Sequence, residues 1–216
     1  MGKPALFRGI AEDDYASLLR CLDCRFKSFR KDQAVFRAGD SVRAVGIVIS
    51  GRVRIVKDDA WGNRNIIEEV PAGEMFAEAF ICGGADVLPV SVIAAAATEI
   101  MFADLRRIVT TCPSACAFHA RLVRNMLGAM ARKNIRLASK LEHITRRTTR
   151  QKLLSYLSEQ SRTRSRAAFE IPFDRQGLAD YLSVDRSALS AEMSRLKADG
   201  VIDYRKNHFE LLRRPS

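Results

Sequence analysis

Residues 175–202, RQGLADYLSVDRSALSAEMSRLKADGVI, decide how the chain is read. Apolar or small residues fall at Leu178, Ala179, Leu182, Val184, Leu189, Met193 and Leu196, three, four or seven apart within each half. That is the period of one buried helical face. The period breaks at Ser183–Asp185, and Asp185 is a good N-cap for a second helix because its carboxylate accepts from a free backbone N–H. Gly200 follows the last turn and suits the left-handed conformation that ends helices. Ala179 stands where the two helices would cross, and its small side chain permits close approach. The second helix carries Arg186, Ser187, Ser190, Glu192 and Arg195 on the face opposite the apolar one. Helix pairs of this kind set the N-terminal end of the second helix against base edges in the major groove. Arginine donates two bonds to guanine and serine pairs with several bases. Arg186, Ser187 and Ser190, with Ala191 nearby, are therefore the candidate base readers. Arg175, Gln176 and Arg195 complete the DNA-binding set on these helices.

The flanks support a helix-turn-helix over a helical hairpin from an unrelated all-α domain. VIDYR (201–205) and HFELL (208–212) alternate like two strands with Lys206 and Asn207 at their tip, and FEIPF (169–173) reads as a third. A helix-turn-helix beside a small sheet is a winged helix. Arg205 and Lys206 at the wing tip suit phosphate contacts, which position a protein without reading sequence.

Charge points the same way. The net charge is +11, and it is one-sided. Residues 1–112 hold 15 Lys+Arg against 15 Asp+Glu, whereas residues 113–216 hold 21 against 10. A basic half fits attraction to phosphates that weakens with salt. A length of 216 residues with 47% hydrophobic content accommodates one or two domains with real cores. No window approaches a membrane span, and MGKPALFRG lacks an apolar signal core. The expected location is cytoplasmic, with no membrane partner.

Upstream, residues 25–111 read as β: KSFRKDQAVFRAGD, AVGIVISGRVRIVKDDAWGNRNIIEEV and SVIAAAATEIMFA are short apolar or alternating runs. Turns at Gly39–Asp40, Ser50–Gly51, Gly62–Asn63 and Ala72–Gly73 punctuate them, which suggests a small sandwich or barrel. Residues 10–22 read as a short amphipathic helix ahead of it. Residues 113–144 read as one long helix with Pro113 in its first turn. Val123, Leu127, Met130, Asn134, Leu137, Leu141 and Ile144 form a coiled-coil seam, so a parallel homodimer is expected, with Asn134 as the polar residue that sets register. A second stripe, Phe118, Leu122, Met126 and Ala129, is expected to pack on the β-domain. TRRTTR (145–150) reads as a hinge, with Thr145 or Thr148 capping the next helix. The fold class is α+β, with domains at 1–112 (effector-sensing), 113–144 (dimerisation) and 145–216 (DNA-binding).

The order of β-roll, long helix and winged helix resembles the bacterial CRP/FNR family of regulators over nearly the whole chain. The strings that carry the resemblance are VFRAGD, ISGRVRIVKDD, PAGEMFAEAF and LADYLSVDRSALSAEMSRLKADGVI. It implies a cyclic-nucleotide-binding-like roll, a homodimer on a palindromic duplex site, a small-molecule or gas effector that moves the DNA-binding domains about the hinge, and RNA polymerase as a further partner. The implied effector pocket comprises Met75, Phe76, Glu78, Leu88, Pro89 and Met126.

The departures matter as much. Cyclic-AMP-binding members carry Gly-Glu and then Arg with a hydroxyl residue around the cyclic phosphate. Here Glu78 follows Ala77, and Leu88 and Pro89 stand at the other two positions. An anionic phosphate needs a cation or a nest of N–H groups, so cyclic AMP is not the expected effector. An iron–sulfur cluster takes four thiolates. Cys21 and Cys24 lack a third nearby cysteine, and Cys82, Cys112 and Cys116 lie far off. The five cysteines read as free thiols, with Cys82 and Cys116 packed and a thiol switch at Cys21–Cys24 a minor option. FAEA and PVS look like the branch that answers nitric oxide, some members of which bind haem. Of His119, His143 and His208, none stands out as an axial ligand, and a methionine such as Met75, or a backbone or N-terminal nitrogen, is the substitute. At the recognition helix, Ser187 and Ala191 stand where relatives place Glu and Arg, so the operator is expected to differ from familiar ones.

No Walker loop, HExxH or GxSxG is present, which argues against an enzyme. Glu68, Glu69, Glu74 and Glu78 read as surface acids at strand ends and loops. A dimeric scaffold without DNA binding, or a DNA-binding dimer that needs no effector, would also fit these residues. Activator and repressor are not distinguished.

Overall fold

A computed structural model describes residues 4–109 and 118–212. The chain forms two compact units, residues 1–134 and 135–216. The expected helix start at Pro113 and the thiols of Cys112 and Cys116 lie outside the described residues.

The first unit opens with a 3-10 turn (Ala5–Phe7) and α1 (Tyr15–Cys21), shorter than the helix expected over 10–22. Eight strands follow: β1 (Arg25–Phe29), β2 (Ala34–Phe36), β3 (Ala44–Ser50), β4 (Arg52–Asp58), β5 (Arg64–Pro71), β6 (Met75–Phe76), β7 (Ser91–Ala94) and β8 (Thr98–Asp104). The short helix α2 (Glu78–Cys82) follows β6, and α3 (Leu105–Val109) follows β8. They build two four-stranded antiparallel sheets, ordered β1-β8-β3-β6 and β2-β7-β4-β5. Successive side chains of a strand point to opposite faces, and the first sheet buries both. Ile100 and Phe76 face an interior core with Val53, Ile55, Val70 and Val92 of the second sheet. Met101 and Met75, one residue away in each strand, face an outer core with Leu6, Phe7, Leu18 and Leu22. Gly46 of β3 admits the Phe76 ring, which a Cβ there would strike.

Helix α4 (His119–Ile144) lays its second stripe on that outer core, as its spacing predicts. Leu122 and Met126 are buried in it, with Phe118, Ala129 and Met130 alongside. Asn125 fixes the register by donating from Nδ2 to the carbonyls of Leu6 (2.8 Å) and Arg8 (2.9 Å).

The second unit holds α5 (Thr149–Arg164), β9 (Ala168–Glu170), α6 (Arg175–Leu182), α7 (Arg186–Ala198), β10 (Ile202–Arg205) and β11 (His208–Leu211). The sheet order is β10-β11-β9, antiparallel throughout. Thr148, one of the two expected caps, accepts from Gln151 N–H at 3.2 Å. Of the expected hinge at 145–150, residues 145–148 join α4 to α5. Thr145 donates from both N–H (3.0 Å) and Oγ1 (2.8 Å) to the Leu141 carbonyl, so the joint is bonded on both sides. Among the described residues no helix is long and apolar enough to cross a membrane.

Candidate nucleic-acid interface and effector site

The helix-turn-helix is built from its caps inward. Asp174 accepts from Gly177 N–H at the start of α6, and Ser183 turns the chain with φ +52°. Asp185 then caps α7, accepting from Ser187 N–H (2.8 Å) and Ala188 N–H (2.9 Å). The Ser187 hydroxyl adds a further bond, and together these hold the Asp185 carboxyl below its usual pKa. Leu178, Ala179, Leu182, Leu189, Met193 and Leu196 are buried, so the opposite face of α7 is set outward.

That face exposes Arg186, Ser187, Ala191, Ser194 and Arg195, with Ser190 half-buried. Three expectations change. Glu192 turns inward, where it meets Arg150 of α5 at 3.2 Å and Arg195 at 3.4 Å. Arg150 also reaches Asp199 at 3.0 Å, so one guanidinium of α5 holds both halves of α7. Arg175 is half-buried, its guanidinium 5.0 Å from the Tyr204 ring and in contact with Met193 Sδ. Burial lowers its pKa, and the side chain braces the wing strand. Asn207 is no free tip: its Nδ2 donates to the Ile171 carbonyl at 3.2 Å. Arg205 and Lys206 are exposed at the hairpin tip as expected, with Lys206 in the left-handed region (φ +57°). Gln176 is exposed and donates to Asp180 at 2.7 Å.

The expected effector pocket divides between two faces. Phe76 lies in the interior core, where its ring meets Phe36 (5.9 Å), and Phe36 meets Phe102 (5.7 Å). Met75 and Met126 lie in the outer core, on the far side of the sheet, because strand alternation separates Met75 from Phe76. Leu88 is buried and Pro89 is exposed. Ala77 holds the left-handed backbone (φ +70°) that glycine adopts without strain, so the Gly-to-Ala exchange keeps the turn.

Glu78 and Glu68 are not surface acids. Glu78 is 1% exposed and Glu68 shares the buried face of β5 with Ile66 and Val70. Lys133 of α4 meets Glu78 Oε1 at 2.8 Å, Glu68 Oε2 at 3.2 Å and the Met75 carbonyl at 3.1 Å. Glu78 Oε2 is buried without a hydrogen-bond partner. Sequence reading missed Lys133, and its one signal was a cation on the helix just before Asn134.

The histidines and thiols fall elsewhere. His119 Nε2 bonds the Arg107 carbonyl (2.8 Å), and His143 bonds Ser155 Oγ and Glu159 (2.8 Å each). Cys82 is exposed, against the expected packing. Burial, then the Asp23 charge, pushes the Cys24 thiol up to about 11, which disfavours the reactive thiolate. No group of three or more His, Cys, Asp or Glu among the described residues is placed to hold a metal.

Two family models match the chain: a cyclic nucleotide-binding domain over residues 26–112 and a Crp-like helix-turn-helix domain over residues 151–216. The fold is similar to FixK2 of Bradyrhizobium japonicum, at 19% identity and TM-score 0.69, covering 88% of this chain and 93% of that one. It is also similar to the c-di-GMP-responsive regulator CLP of Xanthomonas campestris, at 18% identity and TM-score 0.76, covering 93% and 100%. A CooA variant of Carboxydothermus hydrogenoformans gives 16% identity and TM-score 0.76, covering 99% and 93%. No curated protein matches the chain.

Proposed function

The chain belongs to the CRP/FNR family of DNA-binding transcriptional regulators, and from that premise we propose that it acts as a homodimer on a two-fold operator under the control of a small effector other than cyclic AMP. The observation that carries the effector reading is the character of the roll. Its interior core is packed with Phe29, Phe76 and Val48 and flanked by Phe36, Phe80 and Phe102. The cation beside it, Lys133, is already bonded to two carboxylates. Leu88 and Pro89 supply neither the arginine nor the hydroxyl that cyclic-AMP-binding members carry at these positions for the cyclic phosphate. An apolar or aromatic effector without a phosphate suits this interior better.

Among the described histidines and at Met75 no axial ligand for haem is aimed into the interior core. His143 has both ring nitrogens bonded, His119 bonds the Arg107 carbonyl through Nε2 and has Nδ1 buried without a partner, His208 stands on the wing strand, and Met75 lies in the outer core. We therefore favour an organic effector over a haem-bound gas. Titration with cyclic AMP and with small aromatic acids, read by thermal unfolding, tests this. A shift of several degrees with cyclic AMP alone would overturn it.

Support for the dimer comes from α4. Leu127 and Leu141 are each 59% exposed and Ile135 is 67% exposed, with Asn134 exposed among them. Val123, Met130 and Leu137 are half-buried, so the uncovered strip is rotated toward Ile135 relative to the seam read from spacing. A helix face of this kind is covered by a second copy in two-stranded coiled coils. Two recognition helices about 34 Å apart would then enter successive major grooves. Leu127→Glu with Ile135→Glu is expected to give a folded monomer in sedimentation and at least a hundredfold weaker operator binding. A dimer of unchanged affinity would refute the seam.

On the DNA side, Arg186→Ala is expected to weaken operator binding by about 1–3 kcal/mol and random-duplex binding far less. Arg205→Ala or Lys206→Ala should weaken both equally and reduce the salt slope by about one. Mobility shifts on an operator selected from a random pool measure the difference.

A further inference from the structure

Serine ordinarily reads either kind of base edge, because its hydroxyl has one proton to donate and lone pairs that accept. In this chain the proton of Ser187 is already engaged. Its Oγ donates to Asp185 Oδ1, the same oxygen that accepts the backbone N–H of Ser187 (2.8 Å) and of Ala188 (2.9 Å). Donors from the first turn of α7 thus converge on one carboxylate oxygen. Hydrogen bonds to an ionised partner are roughly twice as strong as those between neutral groups. The acceptors on base edges, N7 and O6 of guanine, N7 of adenine and O4 of thymine, are all neutral. The cap therefore outcompetes them for this proton. Ser187 is exposed at the second position of α7, so its lone pairs stay open on the reading face. Ser194, also exposed, donates to the Ser190 carbonyl at 3.1 Å, a neutral partner that a base can replace.

We propose that Ser187 reads by accepting only, and so selects a base that carries an exocyclic amino group in the major groove, cytosine through N4 or adenine through N6. Thymine and guanine place O4 or O6 where those amino groups stand, and that oxygen would face the lone pairs of Oγ. The inference rests on α7 being the recognition helix, and it narrows what that helix reads. Arg186, one residue earlier, has only donors and suits the acceptor pair of guanine. Adjacent residues of α7 then have opposite hydrogen-bonding sense. Asp185 touches no base: it is a positioning residue that fixes where the Ser187 proton points.

The test uses the full-length protein and an operator selected from a random duplex pool. Each cytosine or adenine of a half-site, on either strand, is replaced in turn by 2-pyrimidinone or purine, which lack only the amino group. At one position the replacement should weaken the natural protein about fivefold, the effect of one lost hydrogen bond, and Ser187→Ala by less than about twofold. Ser187→Thr keeps the hydroxyl and should keep the sensitivity. At that position, exchanging cytosine for thymine or adenine for guanine should weaken the natural protein about tenfold. Asp185→Gly removes the carboxylate at small cost to the cap and frees the proton, so its loss for the same exchange should fall below about threefold. A merely structural cap would lower affinity for every operator alike and leave the order of bases intact. The proposal is overturned if no amino group distinguishes Ser187→Ala from the natural protein, or if Asp185→Gly, folded by circular dichroism, keeps the full tenfold loss. Both outcomes leave the recognition helix standing. A pool from which no site is enriched would remove the DNA-reading assignment and this inference together.

Discussion

Lys133→Met is expected to destabilise the first unit by about 3–5 kcal/mol. The reason is the company the ammonium keeps. Its side chain is 11% exposed and bridges two carboxylates contributed by β5 and α2, together with the Met75 carbonyl of β6. Removing one partner of a buried ion pair strands the other charge without solvent, which costs far more than the pair contributes. Glu78 Oε2 already has no hydrogen-bond partner, so losing the ammonium takes away the cation bonded to this buried carboxylate. For a unit of this size the loss corresponds to a fall of about 10–20 °C in Tm. Glu78→Gln in the same chain should recover a large part of it, because the stranded charge is then gone. A Tm within a few degrees of the natural protein for Lys133→Met would show that water screens the cluster.

Lys140 is expected to make the stability of its unit rise with pH, an effect that Lys140→Met removes. Burial lowers the Lys140 pKa from 10.5 to about 8. Between those two values the unfolded chain binds more proton than the folded one, so stability rises with pH across that window. Below about pH 8 both forms are charged and the folded state bears the full cost of burying the ammonium. Methionine carries no ammonium, so the variant is expected to lose this pH dependence, and the stability difference between the two proteins should change as pH climbs from 8 toward 10.5. Denaturant unfolding of the two proteins across pH 7–10.5 measures the difference directly, with other titrating groups cancelling. A constant difference across that range would place the ammonium in water.

The two lysines mark the limit of what residue spacing conveys. The winged helix was legible almost to the residue. Asp185 and Thr148 cap where their chemistry suggests, Gly200 takes the left-handed turn (φ +65°), and Leu189, Met193 and Leu196 are buried in period. Each of those features depends on neighbours within a turn or two. The β-roll was legible as strands and turns, yet Met75 and Phe76, both expected in one pocket, lie on opposite faces of the sheet. The pairing of β6 with β3, and the cores on either side, decide which face is which. Position on a helix puts Glu192 on the exposed face and Arg175 among the DNA contacts, but Arg150 and Tyr204, both distant in sequence, draw them in.

By itself, then, the sequence determined the α+β order, the charge asymmetry that places the basic half with the helix-turn-helix, the caps, and the exposed Arg186 at the start of α7. These follow from backbone geometry and hydrophobic period, which act over a few residues. Tertiary structure alone decided that Lys133 meets Glu68 and Glu78, that Lys140 is buried against Tyr181, and that TRRTTR is bonded at both ends. Burial and ion pairing are properties of groups brought together from distant parts of the chain. A lysine on a helix reads the same from its neighbours whether it ends in water or against two carboxylates.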